Sequence, residues 1–201
     1  MKTEDLRDRF AEVERETKET NIALAITLDA AGLGEIKTGI GFFDHMLNHI
    51  AYQSKIDLSI QATGDIEVDE HHTVEDIGIC FGKALHKALG NKRGIERYGW
   101  VVLPMDEALV MVSMDFSGRT FLSFEVTYTR DHIGGMSTEM IEEFFRAVCQ
   151  HAGLTLHIKQ LSGSNTHHIA EAIFKAFGRA LGMAVRRLKN NEVPSTKGMI
   201  E

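Results

Sequence analysis

The chain has 201 residues, 43% hydrophobic and 25% charged, enough for one well-buried core or two small fused halves. A formal net charge of −7 argues against a general nucleic-acid surface and leaves room for a local basic pocket. The start, Met1 to Asp8, lacks the apolar run of a secretion signal, and no later stretch approaches a membrane span, so the expected compartment is the cytoplasm.

Residues 1 to 16 are highly charged, carry a weak helical pattern at Leu6, Phe10 and Val13, and read as a loosely held arm. From Asn21 to Asp29 the chain alternates strictly (Ile22, Leu24, Ile26, Leu28), which predicts a half-buried strand ending in a turn at Gly32 and Gly34. Past Gly41 the period becomes helical: Phe42, Phe43, Met46, Leu47 and Ile50 share one side, leaving Asp44, His45, Asn48 and His49 on the other. Ile56, Leu58 and Ile60 return to alternation, Gly64 turns the chain, and a helix runs from His71 to about Leu89. The plan then repeats. Strands are predicted over 108–114 and 120–127 around the Ser117-Gly118 turn, a helix over 140–152, a strand over 154–158, and a second helix beyond Gly163. The polar tail from Asn190 contains Pro194 and a Ser195-Thr196-Lys197-Gly198 loop. Cys80 and Cys149 each lie in an apolar helical pattern and read as buried, reduced thiols.

The duplication shows in particular residues. Asp29-Ala30-Ala31-Gly32 matches Asp115-Phe116-Ser117-Gly118, and Leu58-Ser59-Ile60 matches Leu156-His157-Ile158, a register that sets His45 opposite Glu143. The expected fold class is α/β (α+β): two similar halves, about 18–94 and 95–190, each a mixed sheet with two helices on one face, packed into one domain over 1–201 with a C-terminal loop at 191–201.

His71-His72-Thr73-Val74-Glu75 and His167-His168-Ile169-Ala170-Glu171 share a His-His-x-x-Glu spacing. On a helix turning ~100° per residue, the first His and the Glu share a face while the second His points about a quarter-turn away, so one helix start can serve two metals. Imidazole with carboxylate suits a borderline-to-hard divalent ion such as Mn, Fe or Zn, and no nearby Cys supplies a thiolate. A single copy is more often capping or surface chemistry; two copies in matching contexts favour two metals. A dinuclear metallohydrolase and a non-catalytic metal-binding cage use the same ligand types and stand as alternatives.

Gly41-Phe42-Phe43-Asp44-His45-Met46-Leu47, the two His-His motifs, Ser117-Gly118-Arg119, Glu143-Phe144-Phe145-Arg146-Ala147 and Ser195-Thr196-Lys197-Gly198 together resemble the imidazoleglycerol-phosphate dehydratase family, from about Arg15 to the C-terminus. The resemblance implies a manganese-dependent hydro-lyase of histidine biosynthesis, in its monofunctional form, with two Mn2+ per chain in a homo-oligomeric cage of 24 subunits. Its implied ligands are His71 with Glu75 and His167 with Glu171, with His72 or His168 coming from the other motif. His45 and Glu143 are further contributors; many relatives carry His at the position of Glu143. Glu19 matches the family's active-site glutamate, and Glu19 or Glu171 is the candidate acid/base. Arg97, Arg119, Lys175, Ser195 and Lys197 match family phosphate positions, while His86, His132, His151 and His157 read as structural or exposed. In the implied reaction two metals grip the substrate's ring nitrogens, the C3 hydroxyl leaves, and the C2 proton becomes acidic.

Overall fold

In the computed structural model, which describes residues 9–189 and 192–200, the alternating segments become strands whose inward residues form one continuous core. The first half comprises β1 (Phe10–Glu16), β2 (Thr20–Thr27), β3 (Gly34–Lys37), α1 (Gly41–Ser54), β4 (Asp57–Gly64) and α2 (His71–Leu89). The second comprises β5 (Tyr98–Met105), β6 (Ala108–Asp115), β7 (Phe121–Glu125), the short hairpin β8 (His132–Ile133) and β9 (Met136–Ser137), α3 (Glu139–Ala152), β10 (Thr155–Ser162) and α4 (Thr166–Ala184). The two main sheets have matching orders, β1-β2-β4-β3 and β5-β6-β10-β7. In each, three strands are antiparallel and the last edge strand runs parallel to its neighbour, as with Ile36 opposite Ile60 and Phe124 opposite Ile158. The expected duplicated α/β architecture is therefore present.

The loosely held arm is corrected. From Phe10 to Glu16 the chain pairs along its whole length with β2, with Ala11 and Val13 facing the core and Phe10 half-exposed. The helical pattern joined Phe10 to Val13, but strand alternation joins Ala11 to Val13, and the ladder gives this charged segment backbone partners that a short isolated helix would lack. Leu6 and the rest of 1–8 fall outside the described residues, as does the predicted tail onset at Asn190. Strand β5 was not anticipated either; it sits at a sheet edge, where Pro104 can be accommodated without a missing ladder donor.

The helices lie between the two sheets and pair across the halves, α1 with α4 and α2 with α3. Glycines permit the close approach. A methyl group on Gly82 would stand 2.8 Å from the Val148 carbonyl oxygen, and one on Gly178 would stand 3.0 Å from that of Ile50. Along α2, Gly78 faces Phe144 and Ala147 while Gly82 faces Val148 and Ala152, so the paired helices run in the same direction and bring their N-terminal ends together. Phe43, Phe81, Phe144, Phe145, Phe174 and Phe177 fill the space between them, with Phe43 and Phe144 edge to face at 5.3 Å and Phe145 and Phe177 at 4.9 Å. Burying such rings is worth about 1.5–3 kcal/mol each, which makes this layer the rigid base on which the helix starts are mounted. Cys80 and Cys149 are buried here and unpaired, and burial pushes their thiols up to about 11 and about 12.

Candidate active site

Each His-His motif opens a helix because a loop carboxylate or amide satisfies its first N–H groups. Asn165 accepts from the backbone N–H of His167 (2.9 Å) and His168 (3.3 Å), while Asp69 accepts from that of His71 (2.9 Å). The first histidine and the glutamate of each motif then share a face, as the spacing predicts.

At the seam between α1 and α4, ligand atoms of His45, His167 and Glu171 all lie within 4.8 Å of one another, the one such trio among the described residues. Glu171 is the hub. Its Oε2 is 3.0 Å from His167 Nε2 and 3.4 Å from His45 Nε2; its Oε1 is 3.2 Å from His49 Nε2 and 2.6 Å from Lys175 Nζ. Burial by itself would raise this carboxyl, but the Lys175 ammonium and the surrounding imidazoles outweigh it and hold the group down at about 2. His49, which the sequence reading left unassigned, touches both Glu171 and His45 (3.3 Å), and burial pulls its imidazole down to about 4 against the opposing pull of Glu171. Two imidazoles and an ionised carboxylate converging on one point are a donor set that a borderline-to-hard divalent cation takes, so these residues fit one.

The seam between α2 and α3 is less closed. His71 Nε2 and Glu75 Oε2 are 3.9 Å apart and both side chains are more than 40% exposed. Glu143, which should complete the set, turns instead to Arg146, with Oε1 at 3.4 Å from Nε.

His72 and His168 join neither group. Asp65 holds His72 Nδ1 at 3.1 Å, and Glu19 lies 3.8 Å from its Nε2. Glu107 holds His168 Nδ1 at 2.8 Å. Both imidazoles are pushed up, chiefly by these hydrogen bonds, which their Nδ1–H groups donate to Asp65 and Glu107. Asp65 and Glu107 were missed by sequence reasoning. Glu107 had a signal available, because it precedes β6 as Glu19 precedes β2.

Arg97, Arg119, Ser195 and Lys197 do converge, lining a cleft of about 620 Å³ with Tyr98 and Pro194. Arg97 sits at φ 73, an uncommon backbone state for a side-chain-bearing residue. It is fixed there by a two-point pair with Asp115 (2.6 and 3.0 Å) and by a bond from Nη1 to the Pro194 carbonyl (2.7 Å) that ties down the tail. Asp115 already balances the Arg97 charge, which leaves Arg119 and Lys197, with no ion pair among the described residues, as the cleft's available cations. Lys175 lies away from the cleft, on Glu171.

A duplicated α/β chain with imidazole and carboxylate donors at its helix starts and a cationic cleft elsewhere has the build of an enzyme for an anionic small molecule. Residues 38–181 match the family model described as imidazoleglycerol-phosphate dehydratase. The chain is 56% identical over 194 residues, 96% of its length, to all of a protein of that name from Acetivibrio thermocellus. It is 52% identical over 195 residues, 97% of its length, to all of another from Clostridium botulinum. The crystal structure of the Staphylococcus aureus imidazoleglycerol-phosphate dehydratase superposes with a TM-score of 0.81 at 42% identity, covering 89% of this chain and 99% of that one. That of the Pyrococcus furiosus protein in complex with (S)-C348 gives 0.81 at 41%, covering 93% and 99%. The chain belongs to the imidazoleglycerol-phosphate dehydratase family.

Proposed function

We propose that this chain dehydrates its substrate with two divalent cations, manganese being the expected ion, at centres completed by neighbouring copies in a large cytoplasmic homo-oligomer. The activity itself goes with family membership: a hydro-lyase step of histidine biosynthesis that converts imidazoleglycerol phosphate to imidazole-acetol phosphate. The observation that carries the metal reading is the trio of His45, His167 and Glu171 within 4.8 Å.

When bound, the ions supply Lewis acidity toward the nitrogens of the substrate's imidazole ring. His45, His167 and Glu171 would hold one ion, with His49 beside them; His71, Glu75 and Glu143 would hold the other; and His72 and His168, which point away from both groups, would complete centres shared with neighbouring copies. Loss of water requires a proton to leave C2 and the hydroxyl to leave C3 with a proton of its own, followed by tautomerisation of the enol to the ketone. Glu171 and Glu19 are the candidate proton carriers: Glu171 is ionised, but Lys175 and the imidazoles that hold it down make it a weak base, whereas Glu19, 53% exposed beside His72, has no such ammonium partner among the described residues. Arg119 and Lys197 offer a guanidinium fork and an ammonium to the phosphate.

Separation of the two regions supports sharing between copies. The cleft adjoins the C-terminal end of α4, where Arg97 N donates to Ala184 O (2.9 Å), whereas His167 opens the same helix. At 1.5 Å per residue those ends are ~25 Å apart, far beyond a three-carbon phosphate bearing one ring. No helix among the described residues is long and apolar enough to cross a membrane.

The test is to strip the purified protein with chelator and restore manganese. Turnover should vanish and return as about two ions per chain are taken up, and sedimentation should report a much larger mass than one chain. Full turnover by metal-free protein, or by a monomer, is the result that removes this reading.

A further inference from the structure

Glu19 and Glu107 occupy the same place in their halves, immediately before β2 and β6, and each reaches toward the second histidine of its own motif. They approach different nitrogens. In the first half Asp65 takes His72 Nδ1 at 3.1 Å, so Glu19 is left on the Nε2 side at 3.8 Å. In the second half Glu107 itself takes His168 Nδ1 at 2.8 Å, and Asp106 lies 3.8 Å from Nε2.

The Glu107 carboxylate is also engaged with the backbone. Its Oε1 accepts from the N–H of Asn165 (2.8 Å) and Ser164 (3.3 Å), and the Ser162 hydroxyl donates to its carbonyl (3.2 Å). The neighbouring chain is packed too tightly to shift, since a methyl on Gly163 would lie 2.7 Å from Ala108 Cα. One side chain thus fixes both the loop entering α4 and the ring of its second histidine. A carboxylate can only accept, so the shared proton belongs to His168 Nδ1, and in the neutral ring the lone pair is left on Nε2, the form a metal ligand requires.

We propose that Glu107 is the positioning residue for His168, locking its ring orientation and tautomer, and that the duplicated glutamates have divided their labour: Glu107 orients, while Glu19 stays available for proton transfer. This rests on the reading of His168 as a ligand. The structure supplies a variant that separates orientation from simple support. Glu107→Gln retains an oxygen for the Asn165 and Ser164 N–H groups but presents an amide N–H to Nδ1. His168 must then accept there and carry its proton on Nε2, where it blocks the lone pair.

Manganese binding to chelator-stripped, full-length protein, read from the paramagnetic resonance signal of the free ion, tests the idea. Glu107→Gln should weaken uptake at one of the two sites by about 10–100-fold, the usual scale for residues that orient metal ligands, with an unchanged melting curve. Placed on a His168→Ala background it should weaken uptake no further, because both changes remove one ligand. An unchanged isotherm, or additive losses in the double variant, overturns the proposal. So does a melting curve lowered as far as that of Glu107→Ala, which would make Glu107 a structural strut. Failure of the unaltered protein to take up manganese is a separate outcome, visible before any variant is made, that overturns the metal reading and this proposal together.

Discussion

At the α1–α4 seam, His45 reaches His167 and Glu171, and Lys175 closes on the same carboxylate; at the α2–α3 seam, the counterparts are Glu143, His71, Glu75 and Ile79, and they do not close. The backbones agree, with paired helices in parallel, glycines at the crossing and a left-handed residue ending the first helix of each half, Lys55 after α1 at φ 60 and Gly153 after α3 at φ 64. The seams differ in their donors. Two imidazoles around one carboxylate, with a third imidazole and an ammonium beside them, balance their charge and can approach. Two carboxylates and one imidazole cannot do so without a cation, and Arg146 attracts Glu143 away. Duplication copied the scaffold, while individual substitutions decided which seam is preorganised.

The largest effect that would sharpen this contrast comes from Glu171→Gln, which keeps the shape but loses the charge that organises four neighbours. Turnover should fall by at least the ~10² of a lost acid/base, and more than for Glu75→Gln measured under the same manganese-saturated conditions. Equal losses in the two variants would mean that the seams contribute alike despite their geometry.

Glu143→His gives the α2–α3 seam the donor set of the other and releases Arg146. Calorimetric titration with manganese should find two unequal affinities in the unaltered protein and a gap narrowed by about tenfold in the variant, a typical consequence of altering how a metal ligand is held. A gap that stays the same would place the inequality elsewhere.

The smallest effect tests the shared scaffold. Gly82→Ala and Gly178→Ala each gain up to ~1 kcal/mol of helix propensity but push a methyl against backbone at 2.8 and 3.0 Å, where overpacking costs ~1–3 kcal/mol. Backbone atoms cannot rotate aside, so the clash should win. Both variants should lose about 1 kcal/mol in denaturant unfolding. A loss at only one position would show that the seams are packed differently as well as equipped differently.

Much of this was legible in the residues. Ile22 to Leu28 and Ile56 to Ile60 announced their strands because one face is buried and the other is not. Arg97, Arg119, Ser195 and Lys197 could be grouped through the family resemblance, and the cleft does gather them. Strands β1 and β5 were hidden because edge strands carry charge and proline that blur the alternation. Lys175 was grouped with the phosphate residues, whereas its i,i+4 relation to Glu171 is a local contact that the helix makes at once.

By itself, then, the sequence determined the periodic and the repeated: strand and helix faces, the duplication, and a His and a Glu one turn apart at each of two helix starts. Those follow from backbone geometry within a few residues. Only the tertiary structure decided which helices meet. Crossing of the pairs sends His45 of the first half to the second half's motif and brings Glu143 of the second alongside the first. It also gave His49 a place on Glu171 and set Glu107 on His168 across a loop, contacts that depend on packing between segments far apart in the chain.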